Sequence, residues 1–262
     1  VVLIGTIYPI FLDVLSSQKI SVGPPFYHKL IIPFLIPFLL IMAIGPKLKW
    51  IKSNLEDKIY LFTLLIISIL LSVLIVKNFS SNFSINTILI SSALYLFFIT
   101  LRDFFSKRFK NLAQNTAHFG FSLLILSILF NSLFSSEIIT NLKVGQTFEN
   151  TKAKIVFESL SQKEGENYKS IIGNFIVQDS KGKIENLSPE LRIYNQPNIT
   201  TSEADIKTTL LSDKFIVINL VQNQEFFNVR YQVKPFMLWI WISVILISFG
   251  GLISFVKKEY EK

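Results

Sequence analysis

Apolar residues run through this chain in long, nearly unbroken blocks. Five of them, at about 30–46, 59–76, 85–101, 112–134 and 235–256, each approach the ~20 residues an α-helix needs to cross a ~30 Å hydrocarbon core. The pattern predicts five full membrane spans. Val1–Leu15 is also apolar, but it is short for a span at ~1.5 Å per residue, and no charged stretch of the signal-peptide kind precedes it. It reads as the second half of a helix whose beginning lies outside this sequence.

Between the fourth and fifth full spans the periodicity changes. Asn228–Lys234 alternates polar and apolar, which places Val229, Tyr231 and Val233 on one face of a strand. Ile171–Val177 and Lys214–Leu220 are further β-branched or aromatic runs. Ser180-Lys181-Gly182-Lys183 predicts a hairpin turn. The expected fold is a membrane α-helical bundle of five full spans plus a partial N-terminal one, with an inserted β-rich domain built as an antiparallel sheet or small barrel. The predicted divisions are residues 1–135 for the partial span and four full ones, 136–234 for the β domain, and 235–262 for the last span and a short tail.

Composition agrees with a bilayer as solvent: 50% of the 262 residues are hydrophobic, 25 are Phe, and mean hydropathy is +0.48. Cysteine is absent, which excludes disulfides, thiolate metal sites and Cys nucleophiles. The net charge of +8 suggests a nucleic-acid binder only until it is divided by region. Residues 136–234 hold 12 basic and 12 acidic side chains, so the excess lies wholly with the spans and their short loops. No basic stripe for phosphates remains, and no nucleic-acid partner is expected.

The loop charges set an orientation. One set of helix ends carries eleven basic residues: Lys47, Lys49, Lys52, Lys58, Arg102, Lys107, Arg108, Lys110, Lys257, Lys258 and Lys262. The opposite short loops carry three, Lys19, Lys29 and Lys77. The positive-inside rule makes the first set cytoplasmic and the 136–234 domain extracytoplasmic.

Only two histidines exist. His118 lies about two turns into the fourth full span, and Asn111, Gln114, Asn115, His118 and Ser122 fall at three- and four-residue spacings, one polar stripe on an apolar helix. An ionisable group at that depth is a candidate functional residue, and neutral imidazole is a common axial ligand of haem iron. The alternative is a structural His118 hydrogen-bonded to Ser or Asn across a helix interface. Gly120 beside it would admit a partner helix or a flat ligand. His28, in the loop after Gly23-Pro24-Pro25, reads as an exposed interfacial residue. Asp13 reads as solvated or capping, Arg192 and the Glu203/Asp205 pair as strand-edge charges or ion pairs, and Trp239, Trp241 and Tyr231 as an aromatic belt. No catalytic Ser/His/Asp set, phosphate loop or carboxylate cluster is visible, so no catalytic residue is assigned.

Several stretches, in order along the chain, resemble the C-terminal part of the cytochrome c haem lyase family CcmF/CycK/NrfE. They are Leu3-Ile4-Gly5-Thr6-Ile7-Tyr8-Pro9, Lys19-Ile20-Ser21-Val22-Gly23-Pro24-Pro25, Ile44-Gly45-Pro46, Ala117-His118-Phe119-Gly120, Leu187-Ser188-Pro189-Glu190-Leu191-Arg192-Ile193-Tyr194, Val229-Arg230-Tyr231 leading into Lys234-Pro235-Phe236, Trp239-Ile240-Trp241 and Gly250-Gly251. The resemblance implies haem handling for covalent attachment to apocytochrome c, in a bacterial or mitochondrial inner membrane. It implies that His118 is one axial ligand of a transmembrane haem b, the second ligand coming from outside this chain. Implied partners are the N-terminal half of the lyase, a haem chaperone, an apocytochrome thiol-handling subunit, apocytochrome c itself and membrane lipid. The family's tryptophan-rich haem loop, its other membrane histidine and both outer-face haem histidines precede the region covered here, so activity of this chain alone is not expected. Two other readings stand beside this one: a haem lyase of the nitrite-reductase type, and a non-enzymatic membrane-anchored assembly or binding protein in which His118 is structural.

Overall fold

The computed structural model describes residues 2–16, 23–48, 58–79, 85–105, 112–180, 182–221 and 225–260. Lys19, Lys49, Lys52, Lys107, Arg108, Lys110, Asn111 and Lys262, which entered the charge count or the polar stripe, lie outside the described residues, as do Ile20-Ser21-Val22 and Lys181. Six α-helices and ten β-strands are described, and they fall into two compact units, residues 1–129 with 242–262, and residues 130–241.

The helices are α1 (Val2–Ser16), α2 (Pro24–Ile44), α3 (Lys58–Phe79), α4 (Ile85–Phe105), α5 (Leu112–Phe134) and α6 (Met237–Tyr260). Five of them, α2 to α6, are long and apolar enough to cross a membrane, while α1 is a shorter apolar helix. Within the first unit α4 is the central element, with Leu89, Ile90, Ala93, Leu94, Leu96 and Ile99 all buried. The other helices leave large apolar side chains such as Ile59, Phe62, Ile69, Leu252 and Phe255 exposed, as helices facing hydrocarbon do.

Charged residues tie the basic ends of three helices together. Lys47, in a 3-10 turn (Gly45–Lys47) after α2, donates to both carboxylate oxygens of Asp103 on α4, at 2.9 and 3.0 Å. The Arg102 guanidinium lies 4.1 Å from the centre of the Tyr60 ring on α3. His28 is placed differently from its expected loop. Prolines at the first helical positions start α2 at Pro24, because their fixed φ suits a helix start and their missing N–H is not needed there, so His28 sits on the helix with its side chain exposed.

The second unit is a β-sandwich. Its strands are β1 (Ser136–Leu142), β2 (Thr147–Glu149), β3 (Ala153–Glu164), β4 (Tyr168–Asp179), β5 (Ile184–Leu187), β6 (Glu190–Tyr194), β7 (Ile199–Glu203), β8 (Asp205–Thr208), β9 (Ser212–Leu220) and β10 (Phe227–Pro235). Two sheets form, β1-β10-β9-β8 and β2-β3-β4-β6-β7, the latter with β5 also paired to β4, and every pairing is antiparallel. Two facing sheets therefore replace the single sheet or barrel expected.

Their inner faces share one core. Phe157 and Phe175 stack at 4.3 Å between centroids, Phe227 meets Phe157 edge-on at 5.5 Å, and Ile155, Ile216, Ile218 and Val229 fill the rest. Val229 and Tyr231 face inward and Val233 packs against them, as the alternation required. Tyr231 is consequently a core residue with its hydroxyl buried, not a member of an aromatic belt. Between β4 and β5 the expected turn forms around Gly182 at φ +80°, with its amide donating to the Asp179 carbonyl at 2.9 Å.

Strand β10 passes into α6 through Phe236, whose φ of 62° is left-handed. For a residue with a Cβ that costs on the order of 1–2 kcal/mol. Neighbours hold it: its amide donates to the Leu211 carbonyl at 2.9 Å, and its ring packs on Phe130 and Phe134 at 5.5 and 6.5 Å. Asn131 also donates to the Pro235 carbonyl at 2.5 Å.

Candidate functional site

The polar stripe of α5 divides into two parts. Asn115 Nδ2 donates to the Asp103 backbone carbonyl at 2.7 Å, and Ser122 Oγ lies 2.6 Å from Thr100 Oγ1. Both residues therefore pin α5 to α4. Ser122 Oγ is also 2.8 Å from the Phe119 carbonyl, so the residue is fully engaged. Asn111 lies outside the described residues.

His118 points elsewhere. One helical turn from Gln114 and three residues from Phe121, it shares with them a partly exposed face of α5, and its imidazole is half-buried. Phe121 meets Phe38 of α2 edge-on at 6.1 Å. On the flank, Phe119 stacks on Phe104 at 4.8 Å and lies 5.9 Å from Phe97. The His118 ring forms no hydrogen bond with any described residue, and the Ser and Asn that could have bonded it bond α4 instead.

Gly120 serves helix packing. A Cβ there would lie 2.9 Å from the backbone nitrogen of Ile247 on α6. The contact is reciprocal, because a Cβ on Gly250 of α6 would lie 2.7 Å from the Ala117 nitrogen and 2.8 Å from the Ala113 carbonyl. Small residues on both helices thus let the backbones touch, and α6 takes the space that a flat ligand would need. Rotation of ~100° per residue turns His118 away from the Ala117 and Gly120 seam.

The other candidates are structural. Arg192 pairs with Glu190 at 3.0 Å and lies 5.0 Å from the centre of the Tyr168 ring. Burial raises the Glu190 carboxyl, and hydrogen bonds from Arg192 and Ser170 outweigh it, holding the group below the usual range. Asp205 accepts from the Ser188 amide at 2.6 Å, and Glu203 from Thr201 at 3.2 Å. Asp13 is exposed on α1. One cluster escaped sequence reasoning: Lys214 Nζ lies 3.1 Å from Asp179 and 3.1 Å from Glu185, and joins the two sheets of the sandwich. Its signal was present, because Lys214 shares the inward register of Ile216 and Ile218.

Known proteins resemble this chain in sequence and in fold. Residues 133–235 match the family described as the CcmF C-terminal beta-sandwich. Over 99% of its length the chain is 28% identical to the cytochrome c-type biogenesis protein CcmF of Pseudomonas fluorescens, of which it covers 42%. Along nearly its whole length the chain is similar to the CcmF, CycK and NrfE proteins. NrfE of Haemophilus influenzae is 25% identical over 99% of the chain, and CycK of Rhizobium meliloti is 24% identical over 97%. A solved structure of the cytochrome c haem lyase CcmF superposes with a TM-score of 0.72 over 96% of this chain, at 19% identity, a likeness of fold. The chain spans about 42% of the length of the first of these relatives and of the solved structure. With five apolar helices and this kinship, it is a multi-pass membrane protein.

Proposed function

We propose that this chain is the C-terminal part of a haem lyase, handling haem for covalent attachment to apocytochrome c, and that His118 supplies one axial ligand to a haem b within the membrane. The observation that carries the assignment of His118 is a half-buried imidazole in a span, with no hydrogen-bond partner among the described residues while Asn115 and Ser122 are engaged with α4. An ionisable side chain left so in a bilayer requires a partner. The residues present fit one end of a bis-histidine site, since His28 is exposed on another helix and no third histidine exists. The second ligand would come from the N-terminal half. Haem held by two imidazoles supplies one-electron chemistry, and the contribution of this chain is to fix one ligand on a helix braced by α4 and α6.

In the lyase reunited with its N-terminal half, His118→Ala is expected to lower membrane haem content or leave the iron five-coordinate, while His28→Ala leaves both unchanged. Unchanged haem content and coordination spectrum in His118→Ala would return the residue to a structural role. A second substrate reading has support of its own. NrfE of H. influenzae is 25% identical over 99% of the chain, within the 24–28% range of the CcmF and CycK relatives, so a lyase of the nitrite-reductase type is kept as the second reading.

The sandwich is taken to lie on the outer face, periplasmic in a bacterium, where it would brace the complex or dock the haem chaperone, the thiol-handling subunit and apocytochrome c. This follows from the basic asymmetry of the loops. The chain has no cysteine, so single replacements report cleanly. Glu166→Cys and Lys58→Cys are expected to label with an impermeant maleimide from opposite sides of the membrane, and labelling of both from one side would refute this orientation.

A further inference from the structure

The turn between β8 and β9 has two central residues, Leu210 and Leu211. It is closed by the Thr209 amide donating to the Ser212 carbonyl at 3.0 Å, and by the Ser212 amide donating to Thr209 Oγ1 at 3.1 Å. Tips of this kind ordinarily carry Gly, Asn or Asp, because those residues meet the backbone demands of tight turns. Here both residues are leucines, 71% and 67% exposed. Turn geometry gives no reason for them, and neither side chain contributes to the sandwich core.

Their carbonyls are fully used. The Leu210 carbonyl accepts from the indole N–H of Trp239 at 2.9 Å, and the Leu211 carbonyl accepts from the amide of Phe236 at 2.9 Å. Trp239 lies in the first turn of α6, and Phe236 is the residue just before it. The tip is therefore bolted to the point at which an apolar, membrane-length helix begins. Tryptophan at such a helix end settles at the headgroup level, and a loop hydrogen-bonded to that tryptophan lies at the same depth. Exposed Lys207, three residues before the tip, adds a cation suited to anionic headgroups.

We propose that the β8–β9 tip is a lipid anchor, with Leu210 and Leu211 inserted at the boundary between headgroups and acyl chains. Continuity with the α6 entry point selects lipid as the occupant.

The test uses the whole chain in vesicles of phosphatidylcholine and phosphatidylglycerol that contain a lipid spin-labelled near its headgroup. Leu211→Cys and Leu220→Cys are each labelled with a small fluorophore. Leu220 is also exposed and ends the same strand, roughly 30 Å from Leu211 at ~3.3 Å per residue. Quenching several-fold stronger at residue 211 than at 220 is expected. Equal quenching at the two positions, or a dry but unquenched probe at 211, which would mean that protein covers the tip, overturns the proposal.

Discussion

Cells given these 262 residues as their only lyase component are expected to make no mature c-type cytochrome, and co-expression with an N-terminal half is expected to restore some. Thioether formation needs haem held with its vinyl groups beside the apocytochrome thiols, and positioning of that kind supplies much of the rate. This chain brings one candidate haem ligand, His118, placed within a span, and a sandwich whose charged side chains are mostly committed to ion pairs such as Arg192–Glu190, Lys143–Glu225 and Lys154–Glu149. An imidazole inside the bilayer cannot present haem to a substrate in water. Haem-stained gels of membranes from such cells make the check. Any mature cytochrome formed with this chain alone would mean that the sandwich itself holds and presents haem.

Replacing Lys214 by Met is expected to weaken the sandwich by about 3–5 kcal/mol, the usual cost of removing one partner from a buried ion pair. The side chains of Lys214 and Glu185 are 11% and 3% exposed, so loss of the lysine strands a desolvated carboxylate. Lys183, 2.8 Å from the other oxygen of Glu185, is mostly exposed and compensates only in part. The Tyr231 hydroxyl nearby is pushed above its usual range by burial and then by the Glu185 and Asp179 charges, so it stays neutral and supplies no countercharge. Hydrogen exchange along β9 in the intact chain should accelerate on the order of a hundred- to a thousand-fold, since each ~1.4 kcal/mol is a factor of ten. An acceleration below about tenfold would contradict the assignment of the cluster as an inter-sheet clamp. Adding Glu185→Leu to Lys214→Met should recover much of the loss, because two apolar groups leave no stranded charge.

The same pair predicts a pH dependence. Burial raises the Glu185 carboxyl, but hydrogen bonds from Lys183 and Lys214, with their charges, outweigh that effect and hold it below the usual range. A carboxyl lower in the folded than in the unfolded state contributes stability that is fully present above the unfolded value, about 4.3, and is lost as pH falls through the folded value. The advantage of the native chain over Lys214→Met should therefore be constant near neutrality and narrow in acid below about pH 4.3.

Much of this architecture was legible because a bilayer imposes a strict length and a strict polarity. The five apolar blocks became α2 to α6, within a few residues at most ends. Alternation in Asn228–Lys234 gave the inward face of β10 correctly. Sheet assembly was not legible, since β1 pairs with β10 through partners such as Ser136 and Val233 that lie far apart in sequence, and no local pattern encodes such a pairing. Tyr231 was misplaced because aromatic composition near a span suits a belt and a core alike, whereas its register with Val229 favoured the core. The inward register of Lys214, two residues before Ile216, was legible, but no local pattern brings Asp179 and Glu185 of the other sheet to it. At the candidate site, spacing found the row of polar residues on α5 but could not show that Asn115 and Ser122 turn to α4 while His118 does not.

Ligation by His118 is tested most directly by cavity rescue in the reunited lyase. His118→Gly leaves a hole that free imidazole can enter, and only a direct ligand to iron can be replaced that way with recovery of the spectrum. A low-spin, six-coordinate absorption spectrum is expected for the native lyase, with its loss in His118→Gly and its return on addition of imidazole. A spectrum in His118→Gly identical to the native one, and indifferent to imidazole, would contradict ligation by His118.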